Sequence, residues 1–481
     1  GFAISDFIFG VRDTKKAIEA GLDVEMPQPI HYQKNLLKAV NEGRVSEATV
    51  DDAARRVIRT LLVFENTPDP QRYGPGDVVA KAHVDLAREA AEKSAVLIKN
   101  EGSVLPFDRS VKKVLVVGSL AAKENTGDRG SSWVRAPHVV TPLEGLRGYL
   151  GDGVEVSHCD ETEIDRAKEL AAQADCVVVV AGNDYNDEGE FLGMEDITDG
   201  EHPIVTGLKN QGMPIRAMLV KRMIRKMFSA EGSGMGEALG GDRSTLSLKD
   251  AEIRMIREIA GINRNTVVTL VGGSMIMTKE WDEEVPAILY GWYAGMEGGT
   301  ALARLLFGEV SPSGKLPFTI PHQEADLPYF SSTDLEIEYD RYHGYSLLDR
   351  NGVTPMYPFG YGLSYTTFEL ESLDVAGGEQ GLRIMVTVKN TGDRDGGEVV
   401  QVYVGTPESA VDRPVKLLKG FRKVYLAAGA SETVTIEVPR EELCYYNDEQ
   451  SQWVFEPGTY RVFVGTSASE DQLESRDVKL D

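Results

Sequence analysis

Carboxylates at two places in the sequence are the side chains best suited to chemistry. Asp6 directly follows the apolar run at residues 1–5, and Asp187, Glu188 and Glu190 crowd together after a run of valines. One carboxylate can attack an electrophilic carbon while a second carboxyl group donates a proton and later takes one up. Crowded like charges raise the pKa of one member of such a cluster, as a general acid requires. An Asp that ends a strand is equally typical of helix N-caps, so position alone assigns Asp6 no role.

The residues around Asp6 follow a strand–helix–strand–helix pattern. We expect a buried strand that ends at Asp6, a short strand stopped by Pro27, and helices over residues 11–20, 35–42 and 51–64. Thr49 and Asp52 resemble a capping box at the start of the last helix. This pattern is a βα repeat, and two such units cannot close a barrel by themselves. We therefore expect residues 1–66 to form the last βα units of a barrel whose earlier part is missing from this sequence.

A linker and an α/β domain are predicted next. Residues 67–83 are rich in proline and glycine, and an α/β pattern covers residues 84–321. Near-continuous valine runs predict strands buried on both faces, as in a mostly parallel sheet covered by helices. We expect these strands at residues 96–98, 114–117, 154–157, 176–181, 267–271 and 287–290, with the pairing of the first left open. The expected helices are at residues 86–92, 164–172, 248–260 and 299–306.

The pattern changes in the last third of the chain. Residues 322–365 form a connection rich in glycine, tyrosine and proline, and residues 366–481 alternate apolar with polar side chains. Short strands are expected at residues 382–389, 399–405, 433–438 and 458–465. Regularly spaced strands without a helix between them predict a β-sandwich of the immunoglobulin or fibronectin III type.

Composition excludes several classes of partner and cofactor. A net charge of −25 argues against nucleic acid as a partner. No apolar run approaches the roughly 20 residues that span a bilayer, so we expect no membrane partner. The three cysteines lie far apart without CxxC spacing, which predicts neither a disulfide framework nor a zinc site. The glycine-rich residues 127–132 lack the spacing that cradles phosphates, which argues against a nucleotide cofactor, and the sequence gives no reason to expect a metal.

One basic, methionine-rich segment differs from the acidic remainder. Residues 214–228 combine five lysines and arginines with Met218, Met223 and Met227. This spacing predicts an amphipathic helix packed on its own domain, with a contact in a homo-oligomer or a lid as the alternatives.

Motifs along nearly the whole chain resemble those of glycoside hydrolase family 3. GFAISDF at residues 1–7, followed by AGLDVEMP at 20–27, resembles the family's SD(W/F) strand end before its GLD-x-EMP strand. Further matches follow in family order: SAVLIKNEG at 94–102, GDRGSS at 127–132, GEVSPSGKLP at 308–317 and PFGYGLSY at 358–365.

The resemblance implies a retaining, exo-acting β-glycosidase, most simply a β-glucosidase acting on a β-glucoside or oligosaccharide. It implies the C-terminal end of a (β/α)8 barrel, an α/β sandwich domain and a fibronectin III-like domain. Asp6 takes the position of the nucleophile, which forms a covalent glycosyl-enzyme with the anomeric carbon while a second carboxyl group protonates the leaving oxygen. The earlier barrel units hold most of the sugar-binding residues in this family. The chain therefore needs that N-terminal barrel segment for a complete pocket.

The acid/base is a Glu on a loop of the second domain in this family, followed by an Asp-Arg pair. Counting from Gly182, Glu190 takes that place, with Glu188 and Glu237 as alternatives. After Glu190 the first Asp-Arg pair occurs only at residues 242–243, so residues 191–239 resemble an insertion.

Three other side chains are candidates for substrate binding. Phe7 follows Asp6 and could stack on a sugar face, although an aromatic near a barrel rim is as often part of the core. Glu25 could bind hydroxyls or orient the nucleophile together with Asp23, and an Asp/Arg pair within the barrel is the competing interpretation. Trp133 could line the subsite for the leaving group.

Other functions stay open from the sequence. A β-xylosidase, or a transferase or phosphorylase variant of the family, would use the same carboxylates with another sugar or acceptor. A non-catalytic carbohydrate-binding subunit would need neither carboxylate.

Overall fold

The computed structural model describes residues 1–7, 10–68, 74–127, 129, 132–189, 215–216, 218–219, 221–222, 241–331, 334 and 336–481. By their contacts these residues separate into two compact units, one containing residues 1–78 and the other containing residues 79–189 and 241–481.

Among the described residues of the stretch 1–78, the first unit has three α-helices and one β-bridge. Its helices are α1 (Thr14–Glu19), α2 (Gln33–Asn41) and α3 (Glu47–Asn66). Their packed residues are Ile18, Tyr32, Ala39, Val45 and Ala53. The two predicted strands meet in a single parallel bridge between Ile4 and Val24, as in the adjacent strands of a βα repeat.

The predicted start of α3 is wrong. The N-cap is Ser46, whose hydroxyl accepts a hydrogen bond of 3.1 Å from the backbone N–H of Thr49. A serine hydroxyl can cap a helix as well as a threonine hydroxyl can. Because Ser46 comes three residues before Thr49, the helix begins earlier than predicted, at Glu47. On the far part of α3, the apolar side chains of Ile58, Leu61 and Phe64 are exposed.

The second unit begins with a six-stranded sheet in the order β1-β6-β5-β4-β2-β3. The strands are β1 (Val96–Asn100), β2 (Lys113–Val117), β3 (Glu155–Cys159), β4 (Cys176–Gly182), β5 (Thr266–Val271) and β6 (Ala287–Tyr290). Strands β3, β2, β4, β5 and β6 run parallel to one another. β1 is antiparallel to β6, which settles its pairing. On the other edge of β1, Leu97 forms an isolated β-bridge with Leu363.

Helices cover both faces of this sheet, as predicted. Within the described residues of this region the helices are α4 (Lys81–Ser94), α5 (Pro142–Leu150), α6 (Ile164–Ala171), α7 (Tyr185–Glu188), α8 (Asp250–Ile262) and α9 (Gly298–Leu306). The sequence did not predict α5 or α7. One core packs α6 and α8 against the sheet, and the other packs α5 and α9 against its opposite face. Every residue of β4 is buried because both faces are covered.

The β-sandwich is also confirmed, with additions. Two sheets, β10-β9-β14-β15 and β11-β8-β7, enclose one apolar core, and β12 and β13 form a separate hairpin. The strands are β7 (Phe368–Gly378), β8 (Gly381–Asn390), β9 (Gly396–Gly405), β10 (Leu417–Leu426), β11 (Ser431–Pro439), β12 (Tyr445–Asn447), β13 (Gln452–Val454), β14 (Gly458–Gly465) and β15 (Leu473–Leu480). The sequence predicted only β8, β9, β11 and β14, and it missed helix α10 (Gly344–Asn351) in the connection.

The basic segment is described only in part. Residues 215–216, 218–219 and 221–222 are helical, and Met218 and Leu219 are exposed. The rest of residues 214–228 lies outside the described residues, so its role stays a prediction. Across the described ranges, no helix is both long enough and apolar enough to cross a bilayer.

Candidate active site

Asp6 lies next to the β-bridge of the first unit. The backbone N–H of Ser5 donates a hydrogen bond of 2.9 Å to the carbonyl of Val24, and the hydroxyl of Ser5 accepts one of 2.9 Å from the N–H of Met26. Asp6 itself is exposed, and its Oδ1 accepts a hydrogen bond of 2.8 Å from the N–H of Phe7. The buried serine therefore fixes the backbone while the next carboxylate points away from the core.

The carboxylates of Asp23 and Glu25, on the segment bridged to Ile4, both have partners within the protein. Asp23 forms an ion pair of 2.7 Å with Arg56, so it has the Asp/Arg pairing that was the competing interpretation. Burial would raise the pKa of Asp23, but hydrogen bonds from Arg56 and Ala3 outweigh it and lower the pKa. Glu25 is buried and accepts hydrogen bonds from the N–H groups of His31 and Tyr32.

The side chain of Phe7 is exposed on the unit that carries it, with about half of its surface open (54%). An aromatic ring in such a position is free to stack on a ligand. Its role and that of Glu25 in binding a substrate both stay predictions.

In the second unit, the predicted acid cluster begins where β4 ends. We call residues 183–189 the acidic loop. The N–H of Asn183 donates to the carbonyl of Val271 at 2.8 Å, which continues the ladder between β4 and β5. Farther along, the N–H of Gly189 donates to Gly241, and the N–H of Gly241 donates to the carbonyl of Tyr185, each at 3.0 Å. A Cβ on Gly241 would lie 1.8 Å from the carbonyl oxygen of Asn186, so only glycine fits there.

Lysines neutralise two carboxylates of the acidic loop. Asp184 is buried and pairs with Lys123, and Asp187 pairs with Lys249 at 2.8 Å. Burial would raise the pKa of Asp184, but the hydrogen bonds from Lys123 and from the N–H of Asn186 lower it below its usual value. These two carboxylates are therefore structural charges of the loop.

Glu188 accepts hydrogen bonds through both of its carboxylate oxygens. Oε1 accepts from the hydroxyl of Tyr293 at 2.8 Å and from the N–H of Gly273. Oε2 accepts from the hydroxyl of Ser274 at 3.2 Å and lies 3.5 Å from Nε of Arg243. Burial and the neighbouring Glu188 raise the pKa of Tyr293 far above its ordinary value, which keeps that hydroxyl protonated as a donor. The side chain of Glu188 thus joins the loops that follow β4, β5 and β6.

The other two candidates for the acid/base, Glu190 and Glu237, lie outside the described residues. In sequence, Glu190 directly follows the acidic loop and is the second residue after Glu188. The choice among the three carboxyl groups stays a prediction.

A buried carboxyl group lies at the start of the acidic loop. Glu252 of α8 accepts a hydrogen bond of 2.9 Å from the N–H of Gly182, the last residue of β4. Burial raises the pKa of Glu252 to about 7, although the hydrogen bond from Gly182 and the charge of Lys249 act in the opposite direction. A side chain that titrates near neutrality therefore anchors the residue before the loop.

Trp133 lies in a cleft with three other cationic or aromatic side chains. The guanidinium of Arg129 lies 5.2 Å from the ring centre of Trp133 and 3.7 Å from that of Tyr185. Arg135 lies 4.5 Å from the ring centre of Trp133. Because Tyr185 is the first residue of α7, this cleft borders the acidic loop.

The sequence did not single out Tyr293, Ser274 or Glu252. The carboxyl ends of neighbouring parallel strands meet at one edge of a sheet, and the first two of these residues follow β5 and β6 at that edge. That rule could have found them once the strand order was known. Glu252 gave no signal because it resembles an ordinary acidic residue in the first turn of a helix.

Two family models match the chain. Residues 95–365 match the glycosyl hydrolase family 3 C-terminal domain, and residues 398–468 match a fibronectin type III-like domain.

Curated relatives match over almost the whole chain. β-Glucosidase BoGH3A of Bacteroides ovatus is 31% identical over 98% of this chain and 63% of the relative. Thermostable β-glucosidase B of Acetivibrio thermocellus is 31% identical over 100% of this chain and 58% of the relative. An exo-α-(1→6)-L-arabinopyranosidase of Bifidobacterium breve is also 31% identical, over 98% of this chain and 58% of its own length. The chain thus spans about three fifths of the length of these relatives.

Among solved structures, a family 3 β-glucosidase of Bifidobacterium adolescentis is 29% identical with a TM-score of 0.78, and the match covers 100% of this chain and 65% of that one. A β-D-glucoside glucohydrolase of Trichoderma reesei has a TM-score of 0.81 at 23% identity, covering 100% of this chain and 68% of that one, which shows a shared fold.

Proposed function

Because the chain belongs to glycoside hydrolase family 3, we propose that it acts as the larger part of a retaining, exo-acting β-glucosidase, with Asp6 as the nucleophile. The observation that carries the proposal is the position of Asp6 after a serine that is bonded to the bridged segment at residues 24–26. The relative named thermostable β-glucosidase B matches 100% of this chain at 31% identity, so its likeness includes this region.

In the proposed reaction, Asp6 attacks the anomeric carbon, and the bond from that carbon to the leaving oxygen breaks. A loop glutamic acid gives its proton to the leaving oxygen. The same residue, then a carboxylate, takes a proton from a water molecule that attacks the glycosyl-enzyme and releases Asp6.

We assign the proton transfers to Glu190. A general acid must present an O–H to the departing oxygen, whereas both oxygens of Glu188 already accept hydrogen bonds from protein donors. Glu188 would instead hold the acidic loop in place. Glu237 stays an alternative because it comes shortly before Asp242 in sequence.

A complete glycone pocket needs further βα units. The described part of the first unit contains two of the units that a (β/α)8 barrel repeats eight times. The exposed apolar side chains Ile58, Leu61 and Phe64 of α3 support the proposal that other barrel elements pack against that helix.

The test is trapping of the covalent intermediate. The chain would be assayed alone, and together with a polypeptide that supplies the first six βα units, on 4-nitrophenyl β-D-glucopyranoside. Incubation of the active form with a 2-deoxy-2-fluoro-glucoside should then label the peptide that contains Asp6, as read by mass spectrometry. Activity without a label on that peptide, or no activity in either form, would contradict the proposal.

A second candidate is an exo-acting L-arabinopyranosidase. The relative with that name is as similar to this chain as the two β-glucosidases are, at 31% identity. Parallel assays with 4-nitrophenyl α-L-arabinopyranoside separate the two, because a glucosidase should have the larger kcat/KM on the glucoside.

A further inference from the structure

A cleft of about 160 Å³ lies between α7 and residues 124–127, 129, 133–136 and 139. Arg129, Trp133, Arg135 and Tyr185 line it. A cavity of about 150 Å³ can hold a benzene ring, so the volume suits a single ring. Tyr185 belongs both to this cleft and to the acidic loop, so a group bound here lies beside that loop.

The two arginines of the cleft differ from the neighbouring lysine in their partners. Lys123 also lies over Tyr185, but its charge is paired with Asp184. Within the described ranges, no carboxylate lies at ion-pairing distance from Arg129 or Arg135, and both guanidinium groups lie over aromatic rings instead. Glu124 also lines the cleft, but among the described residues it forms no ion pair with either arginine.

We propose that Arg129 and Arg135 bind a carboxylate carried by the leaving group of the substrate. A guanidinium stacked on a ring keeps its N–H donors in its own plane, and that fork matches the two oxygens of a carboxylate. The long-range field of an acidic protein repels anions, so a carboxylate is retained here only by direct contact with these donors. The volume admits the single ring of a monocyclic acid.

The proposal rests on the proposed function, because it takes the group beside the acidic loop to be the leaving group. Two sources supply this chemistry, namely a phenolic acid such as 4-hydroxybenzoate and a uronic acid at the reducing end of a disaccharide. Both place a carboxylate on one ring.

The first experiment compares substrates in the catalytically active form. The kcat/KM for 4-carboxyphenyl β-glucoside is divided by that for its methyl ester, and the kcat/KM for glucosyl-β-glucuronic acid is divided by that for the corresponding neutral disaccharide. The two substrates of a ratio differ in the intrinsic reactivity of their leaving groups. This difference is the same for the parent and for a variant, so it does not affect the comparison of their ratios. We expect Arg129→Ala and Arg135→Ala to lower at least one ratio by about tenfold or more, the usual effect of losing a charge-assisted hydrogen bond. The first ratio reports on the phenolic acid and the second on the uronic acid.

Arg166→Ala is the matched control, because Arg166 lies on α6 and pairs with Glu163 instead of lining the cleft. It should leave both ratios unchanged. If both ratios are the same in the parent, the two cleft variants and the control, the proposal is overturned while the proposed function stands.

A second experiment separates the cleft from catalysis. Binding of 4-hydroxybenzoate and of its methyl ester to the chain is followed by NMR or by tryptophan fluorescence. We expect the acid to bind more tightly than the ester, and Arg129→Ala to remove the difference. If the protein shows this difference in binding but hydrolyses neither 4-carboxyphenyl β-glucoside nor its methyl ester, the carboxylate site is supported and the proposed function is contradicted. Equal binding of acid and ester would overturn the carboxylate site.

Discussion

The hydroxyl of Tyr293 donates a hydrogen bond of 2.8 Å to Oε1 of Glu188, which links the loop after β6 to the loop after β4. The contact joins residues that are 105 positions apart in sequence. It also places a neutral donor beside a carboxylate that has Arg243 on its other oxygen. Hydrogen bonds to a charged acceptor are among the stronger ones in proteins, so this contact should hold the acidic loop in one conformation.

Tyr293→Phe should weaken both stability and activity. Loss of a hydrogen bond to a charged group costs about 1.5–3 kcal/mol in the free energy of unfolding. We expect kcat to fall as well, because the acidic loop, which precedes the proposed acid/base, loses its hydrogen bond from Tyr293. Urea denaturation and steady-state kinetics measure the two effects.

Tyr365→Phe is the control for that variant. Its hydroxyl also donates one hydrogen bond, of 2.9 Å, to the carbonyl of Leu305, but it does not contact Glu188. A similar loss of stability in both variants, with kcat reduced equally in both, would refute a specific role of Tyr293 in the acidic loop.

Asp6→Asn should abolish turnover in the active form and leave folding intact, because the amide is nearly isosteric and a poor nucleophile. We expect kcat to fall by several orders of magnitude, as for the loss of other covalent catalysts. Asp13→Asn is a suitable comparison, since Asp13 caps α1 by accepting from Lys16 and an Asn cap is equally good. Retention of the activity by Asp6→Asn would exclude Asp6 as the nucleophile.

Glu190→Ala should respond to azide whereas Glu188→Ala should not. Without an acid/base, a substrate with a good leaving group still forms the glycosyl-enzyme, and a small anionic nucleophile then replaces activated water. Rates on 2,4-dinitrophenyl β-glucoside with and without azide, together with the identification of glycosyl azide as the product, make the distinction. Rescue of Glu188→Ala or Glu237→Ala alone would move the assignment to that residue.

Glu252 should make the free energy of unfolding depend on pH between about 4.5 and 7. Its pKa in the folded chain is about 7, above the ordinary value of 4.5, so the folded state keeps a proton that the unfolded state loses over this range. Stability from this group is therefore complete below pH 4.5 and falls as the pH rises towards 7, by up to about 3 kcal/mol. Glu252→Gln should remove this part of the dependence, as measured by urea denaturation at several pH values. Identical pH profiles of the two proteins would contradict the shift.

Lys416→Met should destabilise the second unit strongly. Lys416 is almost wholly buried and forms an ion pair of 2.6 Å with Asp349 of α10. Removal of one partner leaves a buried charge and costs roughly 3–5 kcal/mol in the free energy of unfolding. The double variant with Asp349→Leu should recover most of that loss, and a double variant no more stable than the single one would argue against the pair as the cause.

Much of the fold could be predicted because periodicity reports burial. The run at residues 176–181 is apolar throughout, and β4 is buried on both faces. β7 was missed because its residues are mostly exposed or half-buried, and β10 was missed for a similar reason, since an edge strand need not alternate regularly. Helix α10 was missed because it is short and lies in a segment rich in glycine and tyrosine.

The site was predicted less completely, because the residues that contact Glu188 lie far from it in sequence. The carboxylates of the acidic loop are visible as a local cluster. Their partners Arg243, Ser274 and Tyr293 follow other strands, and only the order of those strands in the sheet brings them to Glu188. Periodicity cannot supply that order. Motif order made the family recognisable, but it could not show that both oxygens of Glu188 accept hydrogen bonds.

The bridge between Leu97 and Leu363 affects the open edge of the α/β sheet. An open strand edge offers unpaired N–H and carbonyl groups to any other extended chain, which promotes aggregation. The carbonyl of Leu97 on β1 accepts a hydrogen bond of 2.7 Å from the N–H of Leu363, so part of this edge is already paired. At the other edge, β3 begins with exposed Glu155, and a charged residue there disfavours pairing with a second sheet. The connection before the β-sandwich thus also protects the α/β sheet from edge-to-edge growth.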